Sequence, residues 1–201
     1  MHFKSKKVRP GILLANGFND EQFIGIMRLF DEYEIKPILI SPEKEQIKSL
    51  QYFRKEIYAN EEEGILIRSF YRMSNPRIHE IPILVIPGGA FSAYKLISSI
   101  EVVEFLNKAF AAKKPIAAIS QAARILLELP NLNGHMLTSA PLYKEAFLEQ
   151  GAFWVDSPMV SDNSFITAQN PSDLPQFLEA LKEKIYKVEA EQQFIKKVSQ
   201  K

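Results

Sequence analysis

"PIAAISQAARIL", residues 115–126, reads as a strand that stops at a bend and turns into a helix. Ile116, Ala117, Ala118 and Ile119 are apolar in succession, the pattern of a strand covered on both faces. Ser120 falls at the bend. Ala117, Ala118, Ala122 and Ala123 flank it with side chains small enough for a sharp turn. The helix that follows would aim its first N–H groups at the bend, which favours an anion or a developing oxyanion. Such a turn is similar to a nucleophile elbow, although the flanking glycines of G-x-S-x-G are missing.

Three more runs share the pattern: "GILLA" (11–15), "KPILIS" (36–41) and "ILVIP" (83–87). Between the first two, "NDEQFIGIMRLFDEYE" (19–34) places Phe23, Met27 and Phe30 at helical spacing. Between "ILVIP" and "PIAAIS", "SSIEVVEFLNKAFAAK" (98–113) lines up Val102, Phe105, Leu106 and Ala109, and Ser98 with Glu101 predicts a capping box. Alternating strand and helix predicts an α/β fold, a mostly parallel sheet with helices on both faces.

Residues 51–78 break the rhythm. "QYFRKEIYA" and "GILIRSFYR" read as two added strands, a hairpin around "NEEEG", whose acids form a solvated turn. Towards the end, "GAFWVD", "PMVSD" and "SFITAQ" read as short strands, with Trp154 a packed aromatic. "PSDLPQFLEALKEKIY" (171–186) reads as a helix capped by Ser172, which the last fifteen residues either extend or leave to fray. No repeat, low-complexity tract or linker interrupts the chain. One domain over 1–201 is expected, with its core at about 8–185, a basic N-terminal tail and a C-terminal helical extension.

The 201 residues are 46% hydrophobic and 24% charged, ordinary for a globular core. Lys plus Arg (25) balance Asp plus Glu (24), so nothing argues for nucleic acid as a partner. The absence of cysteine excludes disulfides, thiolate catalysis and cysteine metal sites. No apolar run approaches the roughly 20 residues of a membrane span, and that after "KSKKVRP" is too short for a signal core, so a cytoplasmic protein without a membrane partner is expected. No His/Asp/Glu cluster has metal spacing, and no cofactor is expected.

In an open α/β sheet, ligands gather at the carboxyl ends of the strands. There "NGFND" (16–20), "PGGAF" (87–91) and "ISQAA" (119–123) should converge. Gly88 and Gly89 either let backbone approach a ligand or simply make a tight turn. Ser120 needs a base to react at neutral pH. His2 lies in the tail, His79 precedes a strand, and His135 enters one at "HMLTS", so no histidine is well placed. A lysine or carboxylate base is conceivable. Arg124 either reaches an anion or pairs with Glu128.

Taken in order, "GILLANGFNDEQFI", "ILVIPGGAFSAY", "PIAAISQAARILLE", "LNGHMLTSAP" and "GAFWVDSPMVSDNSFITAQNPSDLPQF" resemble the DJ-1/PfpI family of the class I glutamine amidotransferase-like superfamily, from about residue 8 to 185. The resemblance implies a flavodoxin-like three-layer sandwich, a cysteine on the elbow, commonly followed by histidine, and a glutamate from a G-F-E-D-x-E turn. Here those positions read Ser120, Gln121 and, for the two glutamates, Asn19 and Gln22. Asp20 and Glu21 are adjacent carboxylates whose side chains should point elsewhere. Amides hydrogen-bond but do not titrate. The implied ligand site is Asn19, Gln22, Gly88, Gly89, Ser120 and Gln121, with Gly88–Gly89 and the Gln121 N–H cradling an oxygen. That is a neutral pocket for a small polar ligand such as a carbonyl or carboxylate.

Two functions are therefore carried forward. One is a non-catalytic family member, a pseudoenzyme, that binds a small polar ligand or a protein partner. The other is a serine-dependent hydrolase or transferase (amidase, protease or glyoxalase-like) using Ser120. The resemblance also implies a homodimer, to which Phe23, Ile24, Met27 and Phe30 could contribute if they do not all serve the core.

Overall fold

A computed structural model describes residues 8–57, 64–68, 70–73 and 80–199. The first half holds β1 (Gly11–Leu13), α1 (Asp20–Glu32), β2 (Ile38–Ser41), β3 (Ile47–Lys48), α2 (Leu50–Ile57), β4 (Leu66–Ile67), β5 (Tyr71–Arg72) and β6 (Leu84–Ile86). Then come α3 (Ala90–Ile97), α4 (Ile100–Ala111), β7 (Ile116–Ile119), a 3₁₀ helix (Ser120–Glu128), β8 (Met136–Leu137) and α5 (Lys144–Glu149). The chain continues through β9 (Phe153–Trp154), β10 (Met159–Ser161), β11 (Phe165–Ala168) and α6 (Leu174–Ser199).

Seven strands form one sheet in the order β10-β11-β7-β6-β1-β2-β5. Every pairing in it is parallel except β10 with β11. The four apolar runs form four of its strands because each strand feeds two cores. Leu13, Leu84, Ile86, Ile116 and Ala118 pack with α3 and α4 on one face. Ile12, Val85, Ala117 and Ile119 pack with α1 and α6 on the other. Neighbours along a strand point to opposite faces, so apolar residues in succession are what a doubly covered strand requires. This is the expected three-layer α/β arrangement. No helix among the described residues is long and apolar enough to cross a membrane.

Several local expectations change. "QYFRKEIYA" begins as helix α2, not as a strand. Its first N–H groups have acceptors ready, since Gln51 N donates to Asp20 (3.0 Å) and Tyr52 N to the Ser49 hydroxyl (3.2 Å). That capping overrides the strand preference of its aromatics. β4 pairs with β3 and β5 with β2, so "GILIRSFYR" is split between two partners. The turn at residues 60–63 lies outside the described residues, as do His2 and His79.

The cap of α4 is Ser99, whose side chain accepts from Val102 N; Ser98 closes α3, its hydroxyl donating to the Tyr94 carbonyl. Before α6, Asn170 and not Ser172 is the cap. Asn170 and Asp173 form a reciprocal capping box around Pro171, which has no N–H to satisfy. α6 then runs on to Ser199, so the final residues extend the helix through there. Phe23 and Phe30 are buried on α1 as expected, but the buried stripe also takes in Gln22 and Ile26, leaving Met27 half-buried and Ile24 exposed. Trp154 is half-buried, its ring N–H donating to the Ser139 hydroxyl at 2.9 Å.

Candidate functional site

The chain runs outward from β1 through β2, then returns to the other side of β1 as β6. Such a reversal opens a crevice at the carboxyl ends of the two diverging strands. The turn after β1, the turn after β6 and the bend after β7 meet there.

Two backbone atoms of Gly88 hold the first two turns together. Its N–H donates to Gln22 Oε1 at 2.6 Å, and its carbonyl accepts from Asn19 N at 2.8 Å. A side chain on Gly88 would start 2.5 Å from Gln22 Oε1 and 2.9 Å from the Ile119 carbonyl. Gly89 has φ +116°, and a Cβ there would fall 2.4 Å from the Gly17 carbonyl. Both glycines are thus demanded by close backbone approach, and Gly89 by its conformation too. Ser92, one turn into α3, anchors the same corner by accepting from Ala15 N at 3.0 Å. The sequence reading passed over it; its place just after the Gly-Gly pair was the available signal.

Ser120 has φ +58°, in the left-handed region that L-residues other than glycine avoid. Holding it there costs on the order of 1–2 kcal/mol. Ile119, immediately before, is extended, so the reversal takes place at a single residue. The helix after the bend is 3₁₀, tighter than the α-helix expected. Arg124 and Glu128 consequently do not share a face, because a 3₁₀ turn holds about 3.0 residues. Arg124 instead lies over the Tyr143 ring, 5.9 Å from its centroid.

The six expected site residues come together, but their polar atoms are unequally engaged. Asn19 spends its side chain as the cap of α1, accepting from Gln22 N at 3.0 Å. The Gly88 N–H is held by Gln22, so it is not a donor for a ligand; the oxygen cradle is smaller than the sequence suggested. Because Gly88 N–H requires an acceptor, the Gln22 amide is oriented with its oxygen towards Gly88, and Nε2 faces away. Nε2 is buried without a hydrogen-bond partner. Ser120 is 1% exposed, and its hydroxyl donates to Gln121 Oε1 at 2.7 Å. Gln121 is half-buried and lies in the first turn of the 3₁₀ helix, where the first N–H groups have no intrahelical acceptor.

Asp20 is turned away to cap α2, as expected of a carboxylate beside the site residues rather than among them. His135, the histidine within the described residues, lies before β8 and bonds to Asp162 across the molecule from Ser120. The elbow is therefore an alcohol among carboxamides. Gln22 Nε2 is its buried donor without a partner.

Known proteins share this architecture. A DJ-1 superfamily protein from Salmonella typhimurium superposes with a TM-score of 0.73 at 22% identity, covering 92% of this chain and 95% of that one, a likeness of fold alone. An uncharacterized protein of Archaeoglobus fulgidus is 29% identical over 172 residues, 85% of this chain and 94% of its own length. A deglycase of Pyrococcus abyssi is 33% identical over 95 residues, which span 47% of this chain and 57% of that protein. The match to that deglycase thus takes in little more than half of it. The DJ-1/PfpI family model matches residues 8–184, nearly everything between the basic tail and the end of α6, and the chain belongs to the DJ-1/PfpI family.

Proposed function

We propose that this chain is a non-catalytic DJ-1/PfpI protein whose elbow binds a small polar ligand through an acceptor oxygen. The observation that carries the reading is the partnering of Ser120: its proton goes to an amide oxygen, Gln121 Oε1, which cannot take it up. A hydroxyl without a base is a poor nucleophile near neutral pH. The elbow cysteine, its histidine and the turn glutamate that the family resemblance implies correspond to Ser120, Gln121 and Asn19 or Gln22. The buried, unpartnered Gln22 Nε2 supports binding, since a donor left unsatisfied gains from any acceptor oxygen placed against it.

The second reading, a serine-dependent hydrolase or transferase, rests on the φ of +58° at Ser120. Strain of that kind gathers at functional sites. A fluorophosphonate probe separates the two. The native chain should remain unlabelled while glyoxylate, a carbonyl and carboxylate in one molecule, shifts the Gly88, Gly89 and Gln121 amide resonances saturably. Labelling that vanishes in Ser120→Ala would establish the hydrolase, and no saturable shift with glyoxylate would remove the binding reading.

A further inference from the structure

At the other end of the sheet, a cavity of ≈ 910 Å³ opens where α6 passes the turns that precede β6, β7 and β11. Lys113 and Lys114 reach it from the end of α4, and Lys184 and Lys187 from α6. His135 and Asp162 also line it. Among the described residues, none of these four lysines is ion-paired, although Lys95, Lys108 and Lys182 each pair with a glutamate.

The acid nearest to hand is already engaged. Asp162 Oδ1 accepts from Ser164 N (2.7 Å) and Phe165 N (2.6 Å). Asp162 Oδ2 accepts from Met136 N (3.1 Å) and lies 3.2 Å from His135 Nδ1. The His135 ring is held edge-on between Phe110 and Phe165. Lys184 donates only to neutral groups, the carbonyls of Asp162 (2.8 Å) and Asn163 (3.1 Å). Burial lowers its pKa despite attraction from Asp162 and Glu191, with Lys187 lowering it further. Glu191 is the other acid on the wall.

Lys113 and Lys114 could serve simply to offset the helix dipole at the end of α4. That account does not reach Lys184 and Lys187, which sit within α6 and face the same space. A cationic hollow whose acids are outnumbered and partly spent is suited to an anionic guest. Its volume is within the range of small-molecule pockets, about 300–1,000 Å³.

We propose that this cavity is a second binding site, separate from the elbow, for a small multivalent oxyanion such as a phosphorylated or polycarboxylate molecule, held by Lys113, Lys114, Lys184 and Lys187. β7 runs from one site to the other, Lys113 and Lys114 preceding it and Ser120 following it, so the two sites lie at opposite ends of that strand.

Inorganic pyrophosphate, titrated calorimetrically at about 0.15 M salt to suppress diffuse attraction, is the probe. One saturable site per chain is expected. Lys113 closes α4 at φ +54°, where glycine is at ease, so K113G removes the amine and keeps the turn. In the double variant K113G/K187A the affinity should fall by about tenfold or more, with Ser120→Ala unchanged. The absence of saturable binding to the native chain would overturn the proposal. So would a change under about threefold in the double variant, or loss of binding in Ser120→Ala, which would move the anion to the elbow.

Discussion

The two ends of the sheet are built by different means. At the carboxyl end, backbone conformation does most of the work: glycines at 88 and 89, a left-handed serine, and a glutamine oxygen that ties one turn to another. The groups that bond Ser120 and Gly88 there are neutral amides. At the amino end, charge converges on open space, with lysines from two helices around a histidine–aspartate pair. The family fold is conventionally read for ligands at the first end. In this chain neutral amides bond the turns at the first end, and four lysines without an ion pair among the described residues line the cavity at the second. Shape and charge can thus be assigned to opposite poles of one α/β sheet.

The difference can be broken most forcefully at Gly89. Gly89→Ala forces a Cβ to within 2.4 Å of the Gly17 carbonyl at a φ of +116°. A loss of about 3 kcal/mol or more is expected by urea denaturation, against about 0.5 kcal/mol or less for Lys114→Ala at the other pole. Equal losses would show that backbone constraint does not distinguish the two ends.

Gln22→Leu comes next. It removes the acceptor of the buried Gly88 N–H while also deleting the unpartnered Nε2. Stranding the N–H costs about 1–3 kcal/mol and outweighs relief of the unpartnered amide nitrogen, so a net loss is expected in the same assay. An unchanged or raised stability would mean that the tie between the two turns is incidental.

The smallest effect sharpens the amino end. Burial lowers the pKa of Lys184 below 10.5, so the folded state releases that proton before the unfolded chain does. Between the lowered value and 10.5 the unfolded state binds more protons, and stability from this group rises with pH. Below that window the buried charge remains a steady penalty. Lys184→Met should therefore flatten the alkaline rise in stability relative to the native chain, read from melting temperatures across that window. An identical pH dependence would mean that the lysine is fully solvated.

Much of this was legible beforehand. Ile116–Ile119 and its three companion runs announce doubly covered strands because apolar residues in succession satisfy both faces at once. The gathering of Gly88, Gly89, Ser120 and Gln121 followed from the rule that ligands sit at carboxyl ends. What escaped was decided by partners distant in the chain. Helix α2 depends on Asp20, 31 residues earlier at the start of α1, to receive Gln51 N. Ser98 with Glu101 reads as the cap of α4, yet Ser98 closes α3 and the next residue, Ser99, does the capping. Asn19 and Gln22 looked like two free amides, yet one caps a helix and the other gives its oxygen to Gly88.

The sequence by itself determined the layered α/β fold, the family, and a chemistry without cysteine, because periodicity and residue type are local properties that no packing can alter. Only the tertiary structure decided which amide atoms remain available at the elbow. It alone also brought lysines from α4 and α6 around one cavity. Both depend on which groups meet across the sheet, and hydrogen bonds and charges act through space, indifferent to separation along the chain.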